Sequence, residues 1–185
     1  ADRVRAALPQ MPAHWRFMRL QHCRTECPTI QRLWQMAWMC EPDTPIFYAH
    51  AKGAAWLGKP EYWPVRDWTE MMTYFCVERW REAVATLAPG KVEAVGCNIS
   101  RERKEVHFSG NFWWTLADAV RRLPEPDPEW DRLKAEFWIG GLGTERMVSL
   151  HQSGAANYRE RYPRERYTTP EACPEYQTYS EVTND

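Results

Sequence analysis

The apolar residues of this chain are parcelled into short runs with two different periods, and that alternation limits the folds open to it. "PIFYAH", "VEAVGCN" and "RMVSLH" are compact runs of strand-forming residues. Before and between them lie segments of helical period. "CPTIQRLWQMAWMC" sets Ile30, Leu33, Trp34, Ala37 and Trp38 on one face, with Pro28 suited to a first turn. "RDWTEMMTYFCVERWREAVATL" is the best helix in the sequence, with Trp68, Met71, Met72, Phe75, Trp80, Val84 and Leu87 as a broad apolar face. Asp67 and Glu70 at its start have the spacing of a capping box. Strands alternating with helices predict an α/β domain, and 185 residues leave little room for a second one.

The remaining segments fill in that plan. "HWRFMRLQ" alternates as a short strand would, "ISRERKE" reads as a charged loop, and "LADAVRRL" is a short helix halted by "PEPDPEW". "DRLKAEFWIGG" carries a helical start and a glycine-rich finish. The expected organisation is a single α/β domain over residues 1–167, followed by an extended or partly disordered tail over 168–185.

A formal net charge of -1 gives no general attraction to polyanions, so nucleic acid is not an expected partner. No run is long and apolar enough to span a bilayer, and the amino end lacks the apolar core of a signal peptide, which points to the cytoplasm. The chain begins with Ala1, which leaves open a processed or clipped piece of something longer. Cys23, Cys27, Cys40, Cys76, Cys97 and Cys173 read as free and mostly buried thiols. "HCRTEC" has no second pair of ligands at zinc spacing, so no metal site is assigned.

Two places could carry chemistry. His50 and Lys52 follow the strand "PIFYAH", and ligands of open α/β sheets bind at the carboxyl ends of strands. In "VHFSGNFWWTLADAVRRLP", Ser109, Gly110 and Asn111 supply a hydroxyl, close backbone approach and a two-way amide beside Trp113 and Trp114. Hydrogen-bonding groups next to an aromatic platform suit a sugar. Equally, "NFWW" reads as a buried strand with Asn111 bonding backbone.

"PIFYAHAKGA", "VRDWTEMMTYFCVERWREAVATL", "VEAVGCN", "VHFSGNFWWTLADAVRRLP", "RLKAEFWIG" and "SLHQSGAANYRERYP" resemble, in order and spacing, a group of uncharacterised glycosyltransferase-like proteins of microbes and large viruses. That resemblance implies a GT-A-like fold, a nucleotide-binding sandwich around a mixed central sheet. The first strand unit of that fold is not visible here. It implies a nucleotide sugar as donor substrate and a glycan or protein-linked acceptor. His50 and Lys52 stand where such enzymes carry metal-binding aspartates, so a divalent metal is admissible but not required. His50, Lys52, His107, His151 and Ser153 become donor-binding candidates, with Tyr158 closing over the same side. Ser109, Gly110, Asn111, Trp113 and Trp114 become the acceptor-binding set. Glu136, in "AEFWIG", becomes the base that removes the acceptor's proton. The bland counterparts are a solvated loop lysine at Lys52, a structural histidine at His107 and an exposed helix glutamate at Glu136.

Two other classes of function fit the same residues. One is a non-catalytic, lectin-like carbohydrate-binding module. The other is a tryptophan-rich protein-interaction domain, since the chain holds 11 Trp.

Overall fold

The computed structural model describes residues 26–51, 56–102, 105–127, 129–169 and 177–178. Within them the chain is a mixed α/β structure. Helix α1 (Cys27–Ala37) precedes β1 (Pro45–Tyr48); α2 (Tyr62–Thr73), a π-helical turn (Tyr74–Glu78) and α3 (Trp80–Thr86) lead to β2 (Ala94–Cys97). A hairpin of β3 (Ile99–Glu102) and β4 (Glu105–Phe108) follows, then β5 (Trp113–Leu116), α4 (Ala117–Arg122) and α5 (Arg132–Phe137). Strand β6 (Met147–His151) and the short β7 (Gln177–Thr178) complete the order.

The main sheet has the spatial order β1-β5-β2-β6-β7, and β3 with β4 forms a separate ribbon. Strand β5 pairs antiparallel with both β1 and β2, while β2 and β6 are parallel. Hence β1, β2 and β6 all point the same way, with β5 reversed between the first two. Tyr48 lies opposite Trp113, Gly96 opposite Trp113 and Cys97 opposite His151. Three strand carboxyl ends and the start of β5 therefore share one rim of the sheet.

Side chains alternate across a strand, so the two sheet faces bury different residues. On one face Ala94, Trp113, Tyr48 and Met147 pack with Cys27, Ile30, Trp138 and Ile139. On the other, Val95, Cys97, Val148 and Leu150 pack with Trp68, Met71, Met72 and Phe75. Cys27, Cys40, Cys76 and Cys97 are free thiols; Cys23 and Cys173 lie outside the described residues.

Helix α1 forms where its period predicts, with Pro28 in its first turn. It ends at Ala37, which leaves Trp38 57% exposed, edge-on to Trp34 and under the Arg121 guanidinium. The long helical segment differs from its expected form in two ways. It starts at Tyr62 without a side-chain cap, so Asp67 lies inside the helix. Instead of capping, buried Asp67 accepts two bonds from Arg161, at 2.5 and 3.0 Å, and one from the Tyr162 amide at 3.0 Å. Second, the π turn wraps extra backbone before α3, with the Arg79 amide bonded to the Tyr74 carbonyl. One added residue rotates everything beyond it by about 100° around the helix axis. Arg79, at φ -99° and ψ 32°, separates the π turn from α3; beyond it Ala83 is buried, and Trp80, expected on the apolar face, is exposed.

"ISRERKE", expected as a loop, begins the β3–β4 ribbon, in which Ile99 pairs with Phe108. Asn98, at φ 51°, turns the chain out of the sheet into it. The tail contributes a strand, β7, on the outer edge of β6. The strand expected in "HWRFMRLQ" and the pair His22 and Cys23 lie outside the described residues.

At the opposite rim, Glu93 is buried, with Arg122 at 2.5 Å and Arg146 at 3.3 Å from its carboxylate. Its carbonyl accepts from Thr115 Oγ1 at 2.7 Å, which fixes the start of β2 against β5.

Gly140, in the 3-10 turn Trp138–Leu142, lies so close to the ribbon that a Cβ there would overlap the Val106 carbonyl oxygen. Backbone cannot yield as a side chain can. Gly140→Ala is expected to cost about 3 kcal/mol of stability by overpacking, read as a lower denaturant midpoint at unchanged m-value; an unchanged midpoint would contradict this packing.

Candidate functional site

The shared rim gathers the loops that follow β1, β2 and β6 and the turn that precedes β5. His50 lies just beyond β1, as its position after "PIFYA" predicts. Ser109, Gly110 and Asn111 form the turn between β4 and β5, closed by the Asn111 amide bonding to the Phe108 carbonyl at 2.9 Å. Gly110 at φ 94° and Asn111 at φ 60° occupy the left-handed region that glycine and asparagine tolerate best. Gly110 also has a spatial reason: a Cβ would stand 2.8 Å from the Trp68 ring and collide with the Met72 sulfur.

A hydrogen-bonded network ties this turn to α1 and β1. Asn111 Nδ2 donates to Glu26 Oε2 at 2.8 Å, and Trp113 Nε1 donates to Asn111 Oδ1 at 2.7 Å. The Tyr48 hydroxyl donates to the same Glu26 oxygen at 3.1 Å. His50 Nδ1 lies 3.1 Å from Glu26 Oε1, and its Nε2 lies 3.1 Å from the Gly110 carbonyl. Burial, and after it the Glu26 carboxylate, holds the Tyr48 phenol far above its usual range. Glu136, near the end of α5, acts on the same phenol in the same direction. It is half-buried and makes no hydrogen bond or ion pair with another described residue.

A second polar group sits on the other side of the turn. Asn157 Nδ2 donates to Ser109 Oγ at 3.1 Å, and the Ser153 amide donates to Asn98 Oδ1 at 2.8 Å. Tyr158, 38% exposed, packs edge-on to Trp68 and against Trp56, over whose ring the Lys59 ammonium lies at 4.8 Å.

The paired-indole platform expected from "NFWW" does not exist. Neighbouring residues on a strand face opposite sides of the sheet. Trp113 is 0% exposed and stacked on Tyr48 at 4.9 Å, so it has no face to offer a ligand. Trp114 lies on the other face, stacked on Phe47 at 4.9 Å, with its Nε1 bonded to the Cys76 carbonyl of the π turn at 2.7 Å. Asn111 bonds side chains, where the sequence suggested backbone or a sugar.

The donor-binding candidates disperse. His107 is buried on β4 with its ring 4.9 Å from Phe137, and its Nδ1 has no partner among the described residues. His151 ends β6 at the rim, but its ring is stacked on Phe75 at 4.7 Å and its Nε2 bonds the Tyr162 hydroxyl at 2.8 Å. Burial pulls its pKa down to about 4. Arg161, which follows Tyr158 in the same segment, is engaged by Asp67. Lys52 lies outside the described residues. The structure thus brings His50, Ser109, Gly110, Asn111 and Ser153 to one rim, with Glu136 beside the network. It withdraws Trp113, Trp114, His107 and His151 into packing. Glu26 and Asn157 escaped the sequence analysis, since each acts on partners far along the chain.

Among the described residues no group of three His, Cys, Asp or Glu side chains is placed to hold a metal ion. Among the same residues no helix is long and apolar enough to cross a membrane. Compared with protein-family models, curated proteins and solved structures, the chain matches none of them. The likeness to glycosyltransferase-like proteins rests on the quoted motifs alone.

Two outcomes follow from this geometry. Asn111→Ala removes a left-handed asparagine and orphans the Trp113 indole N–H, so a loss of about 3 kcal/mol in chemical denaturation is expected; a loss under about 0.5 kcal/mol would contradict the network. His151 binds its proton more weakly folded than unfolded, between about 4 and the ordinary 6.5. The unfolded chain takes up more protons in that window, so this contribution to stability is present above pH 6.5 and is lost as pH falls toward 4. The acid-side fall in Tm should shrink in His151→Gln; an equal fall in both proteins would refute this origin.

Proposed function

We propose that the rim binds a sugar and that the chain is a glycosyltransferase of GT-A-like architecture. The observation that carries this reading is Glu136: a half-buried carboxylate with no partner among the described residues, beside a network in which Glu26 is already fully engaged. A base must have spare accepting capacity, and Glu136 has it. In the proposed step the acceptor hydroxyl gives its proton to Glu136 as its oxygen bonds to the anomeric carbon. The bond from that carbon to the donor diphosphate breaks, and the diphosphate leaves with the bonding pair.

The alignment of β1, β2 and β6 supports a ligand at their carboxyl ends. Ser109, Asn157 and the exposed face of Tyr158 take over the role expected of the indoles, as hydrogen-bonding and stacking groups for a pyranose ring. Lys59, and Lys52 as the motifs imply, supply positive charge for a diphosphate. The same polar and aromatic edge favours a second reading, a lectin-like module that needs no nucleotide.

A thermal-shift screen separates the two. Under the transferase reading a nucleotide sugar raises Tm, and Glu136→Gln keeps that shift while turnover falls by about 10²- to 10⁴-fold. Protection by free glycan but by no nucleotide would establish the lectin reading instead, and full turnover in Glu136→Gln would remove Glu136 from the mechanism.

A further inference from the structure

We propose that Glu26 and His50 are positioning residues, a proton-loaded latch that holds the Ser109–Asn111 turn in place and loosens it when their shared proton is lost. This rests on the rim being the functional site, but the latch itself requires no ligand.

The contacts of the two ring nitrogens with described residues set the proton count. The Gly110 carbonyl can only accept, so His50 Nε2, 3.1 Å away, must donate to it. His50 Nδ1 faces Glu26 Oε1 at 3.1 Å. A neutral imidazole with its proton on Nε2 would turn the Nδ1 lone pair against a carboxylate oxygen, which is repulsive. One more proton between Nδ1 and Oε1 makes that contact a charge-assisted bond. The other carboxylate oxygen already accepts from Tyr48 at 3.1 Å and Asn111 at 2.8 Å, so both oxygens of Glu26 face donors. The latch is then an imidazolium bridging the carboxylate at the start of α1 to the backbone of the turn. At 20% and 17% exposed, the two side chains are shielded enough for the charge pair to matter.

Among the described residues, the titratable surroundings include Tyr48, Cys27 and Glu136. Tyr48 is stacked 6.4 Å from the His50 ring; its raised phenol stays protonated and donates to Glu26 throughout the neutral range. Cys27 bonds the Trp130 carbonyl at 3.2 Å. Glu136 adds negative potential at the Tyr48 hydroxyl. The edge of Phe112, 6.1 Å from His50, is apolar and screens little. The proton on which the latch depends is the one between His50 Nδ1 and Glu26 Oε1. What it restrains is a turn with two left-handed residues, which depends on contacts from outside itself.

The test uses the intact, ligand-free chain labelled with ¹⁵N. Ring nitrogen shifts of His50 are followed from pH 5 to 9 together with amide exchange at Asn111 and Ser109, whose N–H groups bond Phe108 and Asn98 carbonyls at 2.9 Å. At pH 6 both His50 nitrogens should be protonated. As pH rises, loss of one proton should coincide with at least a tenfold fall in protection at both amides, after correction for intrinsic rates. In Glu26→Gln the step should move at least one unit lower. A His50 singly protonated across the whole range, or amide protection indifferent to its titration, would overturn the latch, and wild-type protein alone can give either result. A failure of nucleotide sugars and glycans to bind would strike the proposed function and leave this measurement standing.

Discussion

The pleat of β5 is the constraint on which the rest of this structure depends. Strand β5 is reversed between two parallel strands, and its alternating side chains feed both cores at once. Trp113 fills the face covered by α1 and the 3-10 turn after α5; Trp114 reaches the face covered by α2 and the π turn. Each indole N–H finds a specific acceptor, Asn111 in one case and the Cys76 carbonyl in the other. A buried indole needs such a partner. The residues around β5 are accordingly arranged to supply it: the left-handed Asn111 on one side, a π-helical distortion on the other.

Local features were legible in the sequence wherever one period ran uninterrupted. "PIFYAH", "VEAVGCN" and "RMVSLH" became β1, β2 and β6, and "CPTIQRLWQMA" became α1 with its proline in the first turn. Legibility failed where a distant partner overrode a local rule. Asp67 and Glu70 had capping-box spacing, but Asp67 is claimed by Arg161 and Tyr162, far along the chain. Trp80, expected on the apolar face, is exposed just beyond the π turn, which no sequence period announces. The charged segment "ISRERKE" hid a strand because its buried apolar residue, Ile99, stands alone at its start and polar residues follow.

The candidate site was legible in its place and not in its chemistry. A strand followed by His50 points to a carboxyl-end rim, and the parallel course of β1, β2 and β6 places that rim where the following loops meet. Which groups there are free to act is a different matter. It depends on Glu26, whose carboxylate takes up Tyr48, His50 and Asn111 from two separate parts of the chain. A lone glutamate before a proline-led helix carries no mark of that role.

The polar residues before the two tryptophans serve the fold more than a ligand. Gly110 is there because Trp68 and Met72 leave no room for a side chain, and Asn111 because a left-handed residue must also bond an acid and an indole. Groups so committed have little capacity left for a substrate. Under the proposed function, chemistry at this rim falls to what the fold leaves unspent: the Glu136 carboxylate, the remaining donor of Ser109 and the exposed ring of Tyr158. Such groups, held beside a network that cannot yield without unseating Trp113, are in effect preorganised, since their surroundings are fixed by the core itself.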